Sequence, residues 1–176
     1  MNEQGGDMRY LFKFCHTMGA IGLLGTMAGL LVVLALLPDP AEDIQTYAAL
    51  TEVVDKLARW LLLPSLAITL VSGLLSMGSV PAYHSKGWAW AKLATGVLMF
   101  EGSLLAIQGP LQREAQLTRD YLAGTAEFTD MGNSLWAAGN SIWLLGGVAV
   151  VNVALATWRP RFSRRPSSAE VAEQQG

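Results

Sequence analysis

His16, Lys92 and Glu101 are ionisable side chains set inside long apolar stretches of a 176-residue chain. A charged side chain at mid-bilayer is penalised by at least ~2.5–3.5 kcal/mol, so each such residue needs a partner or a task. His16 lies about one turn inside the start of the first stretch and Lys92 at a similar depth in the third, which places them at one level of a bundle. Neutral imidazole is a common axial ligand of haem iron, and an amine can act as second ligand or as partner to a propionate. Gly19 follows His16 by about a turn, and Gly96 follows Lys92 in the same way. That spacing predicts a slot in which a flat macrocycle lies between the two helices. The plain alternative is that Lys92 snorkels to the interface and His16 is an ordinary polar flank.

Glu101 stands nine residues past Lys92, half a turn of net rotation, so the two cannot pair within one helix. Its expected partner is Asn140 or a hydroxyl of the second stretch; the plainer expectation is a buried acid that stays neutral. Cys15, Met18, Met99 and His84 would suit copper by donor type. Adjacent Cys15 and His16 nevertheless point about 100° apart on a helix. His84 also rivals Lys92 as a second haem ligand. Cys15 is the only cysteine, so an intrachain disulfide is impossible and any haem is held non-covalently.

The elements that must carry these residues follow from composition. The chain is 52% hydrophobic and 15% charged, with a net charge of -2 and a mean hydropathy of +0.34. Too little basic charge is present for a nucleic-acid groove, so nucleic acid is excluded as a partner. A bilayer core of roughly 30 Å takes about 20 apolar residues in helix. Four runs reach that length, at about residues 10–37, 57–77, 87–108 and 134–158. The sequence therefore predicts an all-α domain over residues 1–160, a bundle of four transmembrane helices. The tail over 161–176 is polar and predicted to be disordered.

Lysine and arginine set the orientation, because short cytoplasmic loops keep positive charge. Arg159, Arg161, Arg164 and Arg165 follow the fourth run, Arg9 and Lys13 precede the first, and Lys86 sits in the middle turn. Both termini are therefore expected in the cytoplasm. The two opposite loops carry the acids, among them Asp43, Asp55 and Glu114. The second of these loops contains a helix-prone segment from Leu111 to Leu122, entered through Pro110 and stopped at Gly124. Tyr47, Trp60, Tyr121 and Trp136 are expected in the outer aromatic belt, and Tyr10, Tyr83, Trp88, Trp90 and Trp158 in the inner one.

Three stripes would hold the bundle. Gly19, Gly22, Thr26 and Gly29 line the first helix, and Ser65, Thr69, Ser72 and Ser76 the second. Asn133, Trp136, Asn140, Trp143 and Gly147 line the fourth and are expected to face inward, since an amide facing lipid is costly.

The stretches RYLFKFCHTMGAIGLLG, RWLLLPSLAITLVSGLL, WAWAKLATGVLMF and TWRP resemble an uncharacterised bacterial integral membrane family related to the copper-resistance protein D group and to HemJ-type protoporphyrinogen oxidases. The resemblance implies a haem b site on a first-helix histidine and a third-helix lysine, here His16, which would bind the metal, and Lys92. It implies a bacterial inner-membrane location. An Asn-Glu-x-Pro ending expected of the oxidases is replaced by Trp158-Arg159-Pro160-Arg161, so no reaction is assigned. The expected work is electron transfer or porphyrin handling, with a redox or membrane protein partner or a second copy of the chain beside the lipid bilayer. A non-catalytic scaffold or accessory subunit, or a copper-handling protein, are the alternatives.

Overall fold

The structure is a computed structural model that describes residues 3–79, 87–128 and 131–158. Among them every regular element is helical: α1 (Glu3–Ala35), α2 (Ile44–Leu57), α3 (Leu63–Ser79), α4 (Gly87–Ser103), α5 (Gly109–Leu122) and α6 (Asn133–Trp158). Three helical runs are long and apolar enough to cross a membrane: Tyr10–Ala35, Ile44–Gly78 and Ser134–Ala154. Their outer faces are apolar too. Ile21, Trp60, Val71 and Leu144 are exposed, as suits helices surrounded by lipid.

Much of the first expected loop proves to be helix, and the helix-prone segment of the second is helical as expected. α2 runs into α3 through a π turn at Ala58–Leu62, and α4 runs into α5 through a second one at Leu104–Gln108. The first of these runs spans 35 residues, about 52 Å at 1.5 Å per residue, well beyond a bilayer core. The same local chemistry explains both turns. A proline stands two residues after each, Pro64 and Pro110. Proline lacks an N–H, and its ring crowds the carbonyl four residues back. Widening the preceding turn relieves that crowding: Leu63 N–H reaches Ala58 O and Gly109 N–H reaches Leu104 O, five residues back. Pro110 is therefore not the entry to a separate helix but a point inside a continuous one.

α2 starts at an Asp43 cap, whose carboxylate accepts from Thr46 N–H at 3.0 Å. α5 ends where expected. Gly124 has φ +74°, its N–H bonds Tyr121 O, and Thr125 N–H bonds Asp120 O, so the last carbonyls are satisfied.

α1 packs on α3 and α6, and α4 packs on the same two helices, which leaves α1 and α4 on one diagonal. α2 and α5 extend two of the rods and lie against each other. The apolar core gathers Leu23, Met27 and Leu30 of α1 with Leu62, Ile107, Leu111 and Ile142. Tyr47 belongs to this core, and is not an interfacial aromatic as expected. Tyr83, His84, Lys86 and the tail over 161–176 lie outside the described residues.

Candidate functional site: a histidine seated on a helix carbonyl and a buried carboxylate seam

His16 is exposed on α1, and its ring rests against α3. Nδ1 is 2.8 Å from the Thr69 carbonyl and 3.4 Å from Ser72 Oγ. A carbonyl only accepts, so Nδ1 carries the proton and donates it to Thr69 O. In the neutral ring Nε2 then carries the lone pair, the form a histidine needs to bind a metal. Gly73 supplies the flat surface under the ring; a Cβ there would lie 3.6 Å from Cε1 and Nδ1.

The slot expected beneath His16 is not present. A Cβ on Gly19 would fall 2.9 Å from Ser65 O and from Thr69 N, and closer still to Thr69 Oγ1. On Gly22 it would fall 2.5 Å from Ser65 Oγ. Both glycines bring α1 against α3 and leave no gap. Gly96 does the same on the other side, where a Cβ would meet Leu70 Cδ1 at 3.1 Å. That contact also sets the level of α4. Lys92 stands one turn before Gly96 on α4. Its side chain lies outside the described residues.

In a haem fit test the imidazole passes: it is oriented by Thr69 O and exposed. The glycine recess fails, so a macrocycle would have to lie over the exposed side of His16 and not beneath it. For copper, no group of three His, Cys, Asp or Glu side chains converges among the described residues, and Met99 is buried in the core.

A second constellation went unseen in the sequence. Asp55 and Glu114, expected in external loops, are buried on facing helices. Tyr47, Thr51 and Asp55 recur every four residues on α2 and form its inner face, while Glu114 and Thr118 do so on α5. The Tyr47 hydroxyl donates to Glu114 Oε1 at 2.7 Å, and Gly132 N–H donates to the same oxygen at 2.7 Å. Glu114 thereby ties α2, α5 and the turn into α6 together. Its Oε2 has no partner. Nearer the π turns, Gln108 Nε2 donates to Asp55 Oδ1 at 3.3 Å, and Arg59 lies 3.7 Å from Asp55 Oδ2. Gln108 Oε1 and Ser103 Oγ are likewise buried and unpaired. Such unpaired atoms are unusual, because buried polar atoms are nearly always satisfied.

The α6 stripe faces the opposite way from expectation. Trp136, Asn140, Trp143 and Gly147 are exposed, while Leu135, Ala138, Ile142 and Ala149 fill the interior. Small and aliphatic side chains let α6 approach α1 and α4 closely, and the bulky indoles are left outside. Glu101 is exposed as well, and no bond joins it to Asn140 or to any hydroxyl among the described residues.

No family model matches this chain, and no curated protein and no solved structure matches it either.

Proposed function

We propose that the chain is a bacterial inner-membrane protein of four transmembrane helices with both termini in the cytoplasm, and that it holds haem b through His16. The reading is supported by one observation above all, the 2.8 Å bond from Nδ1 to Thr69 O, which fixes the ring and leaves Nε2 free. Lys92 is its second ligand or the partner of a propionate. The fourth crossing is the α4 run, which is less apolar than the other three and is supported by its packing between α3 and α6. Haem would supply one-electron chemistry, with its potential set by the axial ligands and by burial. The chain's own part is to orient the imidazole, hold its proton on Nδ1 and keep the site at the lipid-facing edge of α1 and α3. Electron transfer or porphyrin handling is the work this allows.

The test is the absorption spectrum of the protein purified in mild detergent. The wild type is expected to show a Soret band that His16→Ala abolishes and Lys92→Met shifts or weakens. A colourless wild type, or an unchanged band in His16→Ala, would sink the proposal.

A second reading, an accessory subunit, is favoured by Glu101. An exposed carboxyl on a helix of this kind has no reason to face lipid, and a donor on a partner helix or a second copy would satisfy it. Glu101→Leu would then dissociate a complex that survives in the wild type on native gels.

A further inference from the structure

At the end of the bundle where α1 stops and α6 begins, a cavity of about 410 Å³ opens between the two helices. Leu31, Leu34, Tyr47, Trp136, Asn140 and Trp143 are prominent in its lining. The volume falls within the ~300–1,000 Å³ of small-molecule sites, and so does the make-up, apolar walls with few polar groups. We propose that this groove binds a neutral, membrane-soluble molecule whose flat ring carries carbonyl groups, of the quinone type, with Asn140 as its hydrogen-bond partner.

The lining chemistry selects that class. No charged side chain lines the groove, so an anionic headgroup has nothing to neutralise it. Tyr47 is 2% exposed and its hydroxyl is already committed to Glu114, so it offers only its ring. What remains is the Asn140 amide and two indole N–H groups. Both indoles are donors only, and the amide adds two more N–H donors against a single acceptor. A site rich in donors asks for a ligand rich in acceptors, and a quinone ring brings two carbonyls and no donor.

The amide is also the site's unexplained feature. Asn140 makes no side-chain hydrogen bond among the described residues, yet it stands on the outer face of a helix apolar enough to cross a membrane. An amide without a partner in that setting is costly, and an acceptor in the groove removes the cost. Trp136 and Trp143 flank it at 79% and 70% exposure, about 10 Å apart along the axis at 1.5 Å per residue, so two broad aromatic surfaces border the polar centre. This inference does not depend on His16 or on haem.

The experiment places the full chain in lipid nanodiscs and follows tryptophan fluorescence while decylubiquinone is added. Saturable quenching is expected, and Asn140→Leu should weaken its midpoint about tenfold, the loss of one hydrogen bond worth ~1.4 kcal/mol. Asn140 is exposed, so this variant should fold. Gly139→Val provides an independent check, since it narrows the groove without touching the amide, and it should also weaken the midpoint.

Quenching that rises linearly and equally in wild type and variants would mean only partitioning into lipid, and would overturn the proposal. So would quenching by a phospholipid brominated on its acyl chains that decylubiquinone fails to relieve, which would assign the groove to ordinary lipid. A disulfide-linked dimer of Asn140→Cys in a Cys15→Ser background, with no quinone quenching, would assign it to a second copy instead.

Discussion

Two antiparallel seams hold this molecule, and they work by opposite means. Along α1 and α3, Gly19 and Gly22 let the helix backbones touch. The hydroxyls there mostly serve their own helix: Thr26 donates to Gly22 O, Thr69 to Ser65 O, and Ser72 to Ile68 O. His16 reaches across with a side-chain hydrogen bond to Thr69 O. Along α2 and α5 the order is reversed, and long polar side chains bridge the helices through Tyr47–Glu114 and Asp55–Gln108. A seam of the first kind depends on shape and is indifferent to charge. A seam of the second kind depends on each donor finding its acceptor, and it loses stability whenever one member is removed.

The comparison breaks first at Gly19. With Ser65 O and Thr69 N each 2.9 Å from an added Cβ, neither of them the end of a flexible side chain, Gly19→Leu must push the helices apart. The expected cost is about 3 kcal/mol or more, read as a fall in the thermal midpoint in detergent. Gly29→Leu, where nothing lies within 4 Å of an added Cβ, is the control and should be near neutral. Equal effects at the two positions would show that the seam is not set by backbone contact.

Glu114 sharpens the other side of the comparison. Glu114→Leu strands the Tyr47 hydroxyl and the Gly132 N–H in a buried site, which should cost about 2–4 kcal/mol. Glu114→Gln keeps an acceptor for both and gives the bare Oε2 position an N–H2, so its cost should be about 1 kcal/mol or less. If the glutamine variant were as damaged as the leucine one, the seam would need the carboxyl group itself and not merely an acceptor. Gly124→Ala, at a φ of +74°, should cost about 1–2 kcal/mol and fray only the end of α5, visible in amide exchange of residues 119–123.

How much of this the sequence discloses follows the same division. Small-residue spacing at 3.6 per turn reads as the α1–α3 seam at Gly19 and Gly22, while Gly29 of the same stripe meets nothing within 4 Å. Hydropathy likewise locates the apolar helical runs. It fails at Asp55, since an acid in a mixed stretch averages to a loop, although Tyr47, Thr51 and Asp55 already stood on one helical face; at Glu114 it finds the helix but not the burial. Pro64 and Pro110 sit in otherwise helical runs, and the π turns that accommodate them leave no residue signature beyond the prolines. The α6 stripe was misplaced for a different reason. An amide does need a partner, but the partner need not belong to the same bundle, and here the interior of α6 is filled by side chains that pack better.

The smallest effect distinguishes a cap from a seam. Asp43 begins α2 on the surface, and its bond from Thr46 holds the carboxyl below its ordinary value of 3.8. A carboxyl whose folded value is depressed stabilises fully above the unfolded value and loses that contribution as pH falls through the folded one. Helicity of the α2 start should therefore decline slightly on acidification below about pH 4, in the window set by this group. Asp43→Asn keeps an oxygen that can accept from Thr46 N–H but has nothing to protonate, so its helicity should be lower by little at neutral pH and flat across that window. Asp43→Ala should start lower and also stay flat. If the asparagine variant titrated as steeply as the wild type, the acid sensitivity would not belong to the Asp43 cap.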